Sequence, residues 1–270
     1  MKSLIINYNR YHILLRNKQK HTGNDKTSNV TTEHSNQFMK LLIVDTETTG
    51  LDVERHRTIE VAAILYSVPH RTTLFQLSTL LSANDNAAAH INRIPPAVLP
   101  EVCPKTQQHF IDLLQHLARS ANYVIAHNAA FDKQWFDGHH LPILNTIAGK
   151  PLEWLCTLED FSFPYQTRPR ENLVSLALNH GIGVSSAHRA LTDCSLIAAL
   201  FDRMENLEAM IEEAKRPKAL FQAQVSFKDK DLAKQAGFQW NPERKEWTRR
   251  MLEADTKDLP FPVVKIPCSP

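Results

Sequence analysis

Lys40-Leu41-Leu42-Ile43-Val44-Asp45-Thr46-Glu47-Thr48-Thr49-Gly50-Leu51 joins an unbroken apolar run to two carboxylates two residues apart. Such a run is what a strand buried on both faces requires. Side chains at i and i+2 of a strand lie on one face, so Asp45 and Glu47 leave the end of that strand together. Two carboxylates placed in this way can share one hard cation. Read in isolation, the same residues also fit a capped turn. Gly50 adds a position where the backbone can turn tightly and approach a ligand closely.

Working outward, residues 58–66 read as a second strand and 73–81 as a third. Residues 86–100, with Ile94-Pro95-Pro96 inside them, read as a loop holding a short helical piece. Phe110, Leu113, Leu114 and Leu117 recur at i, i+3, i+4 and i+7, the spacing of an amphipathic helix. Tyr123-Val124-Ile125-Ala126 and Trp154-Leu155-Cys156-Thr157 read as short buried strands. Leu173, Leu176 and Ala177 mark a helix ending at Gly181. A last helix is expected to carry Asp193, Ile197, Leu200, Phe201 and Met204 as far as Lys215-Arg216, until Pro217 breaks it. Three strands followed by alternating helices and strands imply an α/β fold, a mixed sheet flanked by helices.

Two further stretches carry titratable groups. In His127-Asn128-Ala129-Ala130-Phe131-Asp132 the acid lies one helical turn beyond Asn128, and Asn128 alone would serve as a helix cap. In His188-Arg189-Ala190-Leu191-Thr192-Asp193 the histidine precedes the aspartate by five positions, and an apolar helix follows. An imidazole titrates near neutral pH and can take a proton from an attacking water. The chain has 13 histidines, and most histidines are surface or hydrogen-bonded residues. His188 is singled out by its spacing to Asp193.

In this order and spacing the three stretches resemble the three motifs of the DEDDh family of 3′→5′ exonucleases, over about residues 40–206. The resemblance implies a ribonuclease-H-like fold and a two-metal phosphodiester hydrolase. Asp45, Glu47, Asp132 and Asp193 would be the metal ligands and His188 the general base. Two Mg²⁺ or Mn²⁺ ions would be the cofactors, since the ligands are all oxygen. Thr46, Thr48, Leu51, Asn128 and Phe131 would contact the terminal nucleotide. The partner would be a nucleic-acid 3′ end, with DNA favoured over RNA because Trp154-Leu155-Cys156-Thr157 and His188-Arg189-Ala190 look like the exonuclease X group. The epsilon proofreading subunits of bacterial polymerases look similar. An exoribonuclease of the same family, or an adaptor or proofreading subunit within a larger complex, is the alternative. Protein partners and oligomeric state are not readable.

The bulk composition fits this picture. The chain has 270 residues, 43% hydrophobic and 22% charged, enough for one substantial core and a small appendage. It has no apolar run of membrane-spanning length and no secretory signal pattern, so a cytoplasmic location without membrane contact is expected. Cys103, Cys156, Cys194 and Cys268 are scattered, which excludes a C-x-x-C zinc site and suits a reducing compartment. Residues 1–38 hold six Lys/Arg against two Asp/Glu and read as a disordered arm. Residues 39–216, the expected catalytic domain, hold fifteen against twenty. Residues 217–270 hold ten against seven and read as a separate basic α+β module. An acidic centre between basic ends would repel a polyanion unless cations intervene.

Within the module, a strand is expected near Val225-Ser226-Phe227. A short helix would follow with Gly237 at its C′ position, then a hairpin turning at Asn241-Pro242-Glu243. The pattern resembles a small module appended to bacterial DNA-processing proteins. Phe238, Trp240 and Trp247 could offer stacking faces, but at this size both tryptophans are better read as the module's own core.

Overall fold

A computed structural model of the protein describes residues 38–242 and 244–267. The arm expected over 1–38 lies, save for Phe38, outside the described residues, as does Glu243 of the expected turn. Strands β1 (Lys40–Thr48), β2 (Thr58–Ser67), β3 (Thr72–Leu80), β4 (Tyr123–Ala126) and β5 (Glu153–Cys156) form one sheet in the order β3-β2-β1-β4-β5. β1 is antiparallel to β2 and parallel to β4. The C-terminal ends of β1, β4 and β5 therefore leave the sheet on one side, and all three motifs gather there. This is the mixed α/β, ribonuclease-H-like arrangement the sequence implied.

The apolar run of β1 is continuous because both faces are covered. Leu41 and Ile43 face one core, which includes residues of α4 (Leu173–Asn179), α5 (Ala190–Phe201) and α6 (Leu207–Ala214). Leu42 and Val44 face a second, with residues of α2 (Pro104–Ala118) and α3 (Ala129–Lys133). β2 is buried along its whole length. β3, at the edge, alternates little and is largely exposed. The helical piece in the 86–100 loop is α1 (Ala89–Asn92), followed by a 3₁₀ turn over Pro96–Glu101.

One helix departs from expectation. The single helix foreseen from Asp193 to Arg216 is two helices, α5 and α6, with a break after Phe201. Arg71, reaching across from the β2–β3 turn, takes the carbonyls of Met204 and Glu205 and pairs with both carboxylate oxygens of Glu208. A buried-side cation thus satisfies carbonyls that a continuous helix would have bonded internally.

A second sheet follows. β6 (Ala219–Ala223), β7 (Gln239–Asn241), β8 (Glu246–Met251) and β9 (Val263–Ile266) run in the order β7-β8-β6-β9, with α7 (Lys230–Gln235) between β6 and β7. Its own core holds Phe221, Ala233, Phe238, Met251 and Phe261. The first strand lies earlier than foreseen, at Ala219–Ala223, and Phe227 sits instead in a 3₁₀ turn. β9 was not foreseen at all. Gly237 does stand just past the helix, at φ +80°, as a C′ glycine does.

Candidate metal and active site

The site is built at the C-terminal end of β1. Asp45, Glu47 and Asp193 each bring a carboxylate oxygen to within 4.8 Å of the others. Asp45 and Glu47 share a face of β1, and Asp193 comes from the first turn of α5. The acids carry little countercharge. Burial raises the Asp45 carboxyl well above the usual carboxylate range, and Asp132, Asp193, Glu47 and Glu60 raise it further. Glu47 is pushed up to about 8 by burial, then by Asp193, Glu60 and Asp132, against the pull of Arg189. Asp193 is pushed up to about 6 by burial, against the lowering effect of the His188 side chain and of a bond from the His188 backbone, with Glu60 raising it further. Crowded, desolvated acids of this kind become stable as anions when a hard cation joins them. The donor set is all oxygen, which suits Mg²⁺ or Mn²⁺.

Asp132 is buried beside this trio and stands outside it. Its Oδ1 accepts two hydrogen bonds from Thr46, from the backbone N–H at 3.0 Å and from Oγ1 at 2.8 Å. Burial nevertheless pushes its carboxyl up to about 7, and Oδ2 is left for other partners. Asp132 is positioned by a short helix that begins at Asn128, whose backbone is left-handed at φ 71°. The Ala129 N–H donates to Cys156 Sγ at the end of β5 (3.3 Å), so the Trp154–Thr157 stretch holds the second motif in place.

The two motif histidines differ. His127 bonds Thr157 Oγ1 through Nδ1 at 2.9 Å. Burial, then the charge of Arg170, push it down to about 4, so it stays neutral. His188 is exposed, in the loop before α5, with a left-handed backbone at φ 61°. It stands five residues before Asp193, at the entry to α5.

A cavity of about 350 Å³ opens next to Glu47. Thr46, Thr48, Leu51 and Phe131, four of the five residues expected to meet a terminal nucleotide, border it; Asn128 does not. Leu51 is 79% exposed at its rim. The hydroxyl of Thr46 is committed to Asp132 and that of Thr48 to the Gly50 carbonyl. A side chain at Gly50 would strike the His56 imidazole.

Sequence reading missed Glu60. It is buried on β2, directly opposite Glu47 in the β1–β2 register. Both its oxygens bind the Arg189 guanidinium, at 2.8 and 3.0 Å, and Oε2 also accepts the Ala190 N–H. It thereby ties the start of α5 to the sheet, one residue from His188. The available signal was a lone acid within an otherwise apolar strand run.

Among known proteins, a family model described as "Exonuclease" matches residues 42–201, more than half of the chain. A second, described as a domain of unknown function (DUF8626), matches residues 219–266. The DNA polymerase III subunit epsilon of Treponema pallidum (strain Nichols) is 27% identical over 166 residues, 59% of this chain and 74% of the relative. Among solved structures, the zinc-bound form of an E. coli ExoI–ssDNA complex is similar at TM-score 0.53 and 16% identity. That match covers 73% of this chain and 50% of the other. Exonuclease X in complex with 5′ overhanging duplex DNA matches at TM-score 0.45 and 24% identity, over 64% of this chain and 97% of the other.

Proposed function

The chain belongs to the exonuclease family, and from that premise we propose that it is a metal-dependent 3′→5′ exonuclease releasing nucleoside 5′-monophosphates. The observation that carries this reading is the Asp45–Glu47–Asp193 cluster, three carboxylates within 4.8 Å of one another and each raised first by burial, with Glu47 bordering a cavity. Two divalent cations are the proposed cofactors; when bound they would supply Lewis acidity toward the scissile phosphate. Asp45, Glu47 and Asp193 would hold them, and Asp132 would lend its free Oδ2. His188, exposed beside Asp193, is the group able to accept the proton of the attacking water. Neutral, buried His127 is not. Thr48, Leu51 and Phe131 would seat the last sugar and base in the adjoining cavity.

DNA is the favoured substrate. The epsilon relative is a DNA polymerase subunit, and a basic module follows the acidic centre in this chain. The division into residues 39–216 and 217–270 is proposed as a catalytic domain and an accessory module. Among the described residues no helix is long and apolar enough to cross a membrane.

Chromatography of digests made with Mn²⁺ tests the reading. Wild-type protein is expected to yield nucleoside 5′-monophosphates and Asp45→Ala none. Equal product from Asp45→Ala, or release of 3′-monophosphates, would overturn it.

A further inference from the structure

The C-terminal module carries an open cleft of about 410 Å³, remote in sequence from the carboxylates, between the end of β6 and the β7–β8 hairpin. Phe227 and Trp240 stand out from the module at 83% and 48% exposure. The module's core is complete without them, being filled by Phe221, Phe238, Met251 and Phe261, with Trp247 packed half-buried against it. The expectation that both tryptophans are core residues thus fails for Trp240. Single exposed aromatics are ordinary, but three bordering one cleft are not.

Their arrangement leaves faces open. Trp240 lies opposite Trp247 in the hairpin register, with ring centroids 5.7 Å apart and planes at 57°. The Lys230 ammonium stands over one face of the Phe227 ring, 4.3 Å from its centroid, and leaves the opposite face for a stacking partner. Lys245 also borders the cleft and is exposed. The polar wall is supplied by Gln222, Gln224 and Glu246. Glu246 Oε1 is buried and ion-paired with the Arg244 guanidinium at 3.6 Å.

A ligand matching this cleft has flat π faces, polar edges that the glutamine amides can meet, and a negative backbone. We propose that the cleft is a stacking site for unpaired bases of single-stranded nucleic acid, with Phe227, Trp240 and Trp247 as the stacking faces and Lys230 and Lys245 as phosphate contacts. For the identity of that strand the proposal rests on the exonuclease reading: the bases held here belong to the strand whose 3′ end is shortened. The charge of the module, ten Lys/Arg against seven Asp/Glu, is complementary to such a strand.

The test uses the full chain in chelator, so that binding is read without cleavage. Fluorescence anisotropy compares a 20-nucleotide oligo(dT) with an abasic strand of equal length. In the double variant Phe227→Ala/Trp240→Ala, affinity for oligo(dT) is expected to fall at least about tenfold, while affinity for the abasic strand is unchanged. Phe227→Tyr/Trp240→Phe should restore it. Tryptophan emission of the wild type should be quenched by oligo(dT) and not by the abasic strand, which tests the site even if the alanine variant does not fold. Unaltered affinity, equal losses on both strands, or no base-dependent quenching would each overturn the proposal. Turnover of a trinucleotide with Mn²⁺ is measured alongside and is expected to be the same in wild type and double variant. Base-dependent binding without any turnover would sink the exonuclease reading and leave the cleft standing; turnover without base-dependent binding would do the reverse.

Discussion

Asp45 shows how a residue's chemistry is set by its neighbours. In water its carboxyl would be an ordinary anion; buried, and then crowded by Asp132, Asp193 and Glu47, it resists ionisation until a cation arrives. The pairing with Glu47 was legible because strand period alone puts i and i+2 on one face. Glu60 was not legible, because it meets the site through strand register, thirteen residues along the chain. Two predictions belong at this scale. His188→Ala is expected to lower kcat by about 10²–10⁴-fold while leaving Mn²⁺ affinity, read by calorimetry, nearly unaltered; a normal kcat would remove His188 from its proposed role. Glu60 is bound to Arg189 and the Ala190 N–H and acts by positioning. Glu60→Gln should loosen the Arg189 clamp and reduce kcat with little effect on KM, and its pH–rate profile should shift. A KM effect alone would instead assign Glu60 to substrate contact.

At the scale of elements, hydrophobic period located the five strands of the first sheet and most helices, since both faces of β1 had to be covered. It did not locate the break between α5 and α6, because that break is imposed by Arg71 from a distant turn. Nor did it find β9, a four-residue edge strand with little period to read. Gly237 was read as a helix terminator, and its conformation agrees. The structure adds a second demand: a Cβ there would lie 2.6 Å from Pro169 Cβ, in the loop that follows β5. Nearby, Lys218 pairs with Asp160 at 2.7 Å, both largely buried. Gly237→Ala therefore meets both an unfavourable left-handed backbone and a clash. It is expected to destabilise the protein by about 1–3 kcal/mol, seen as a lower unfolding midpoint and as earlier proteolysis between the two sheets. An unchanged midpoint would mean that this contact does not hold the module.

At the scale of the whole molecule, the charge pattern read from the sequence takes on a physical form. The acidic centre is concentrated into carboxyls whose folded pKa values are raised, and this sets a pH dependence. Glu47, at about 8, and Asp132, at about 7, keep protons that the unfolded chain gives up near pH 4. Above that lower value the unfolded state binds fewer protons, so stability falls as pH rises toward the folded pKa values. His127, pushed down to about 4, acts the other way below about pH 6.5, so the clean window is pH 6.5 to 8.5. Without metal, Tm is expected to be lower at pH 8.5 than at 6.5. Mn²⁺ should remove most of that difference, and Asp45→Asn should reduce it in chelator. A Tm in chelator that is level across the window would contradict the crowded-carboxylate description.

These carboxylates, with cations, are proposed to cut nucleic acid from its 3′ end. The most direct measurement is a gel of 5′-labelled oligonucleotides, DNA and RNA, single-stranded and duplex, incubated with Mg²⁺, Mn²⁺ or chelator. A ladder shortening one nucleotide at a time from the 3′ end is expected, present with either metal, absent with chelator, and faster on DNA. Intact oligonucleotides in every lane containing metal and folded protein, or a ladder that persists in chelator, would contradict it.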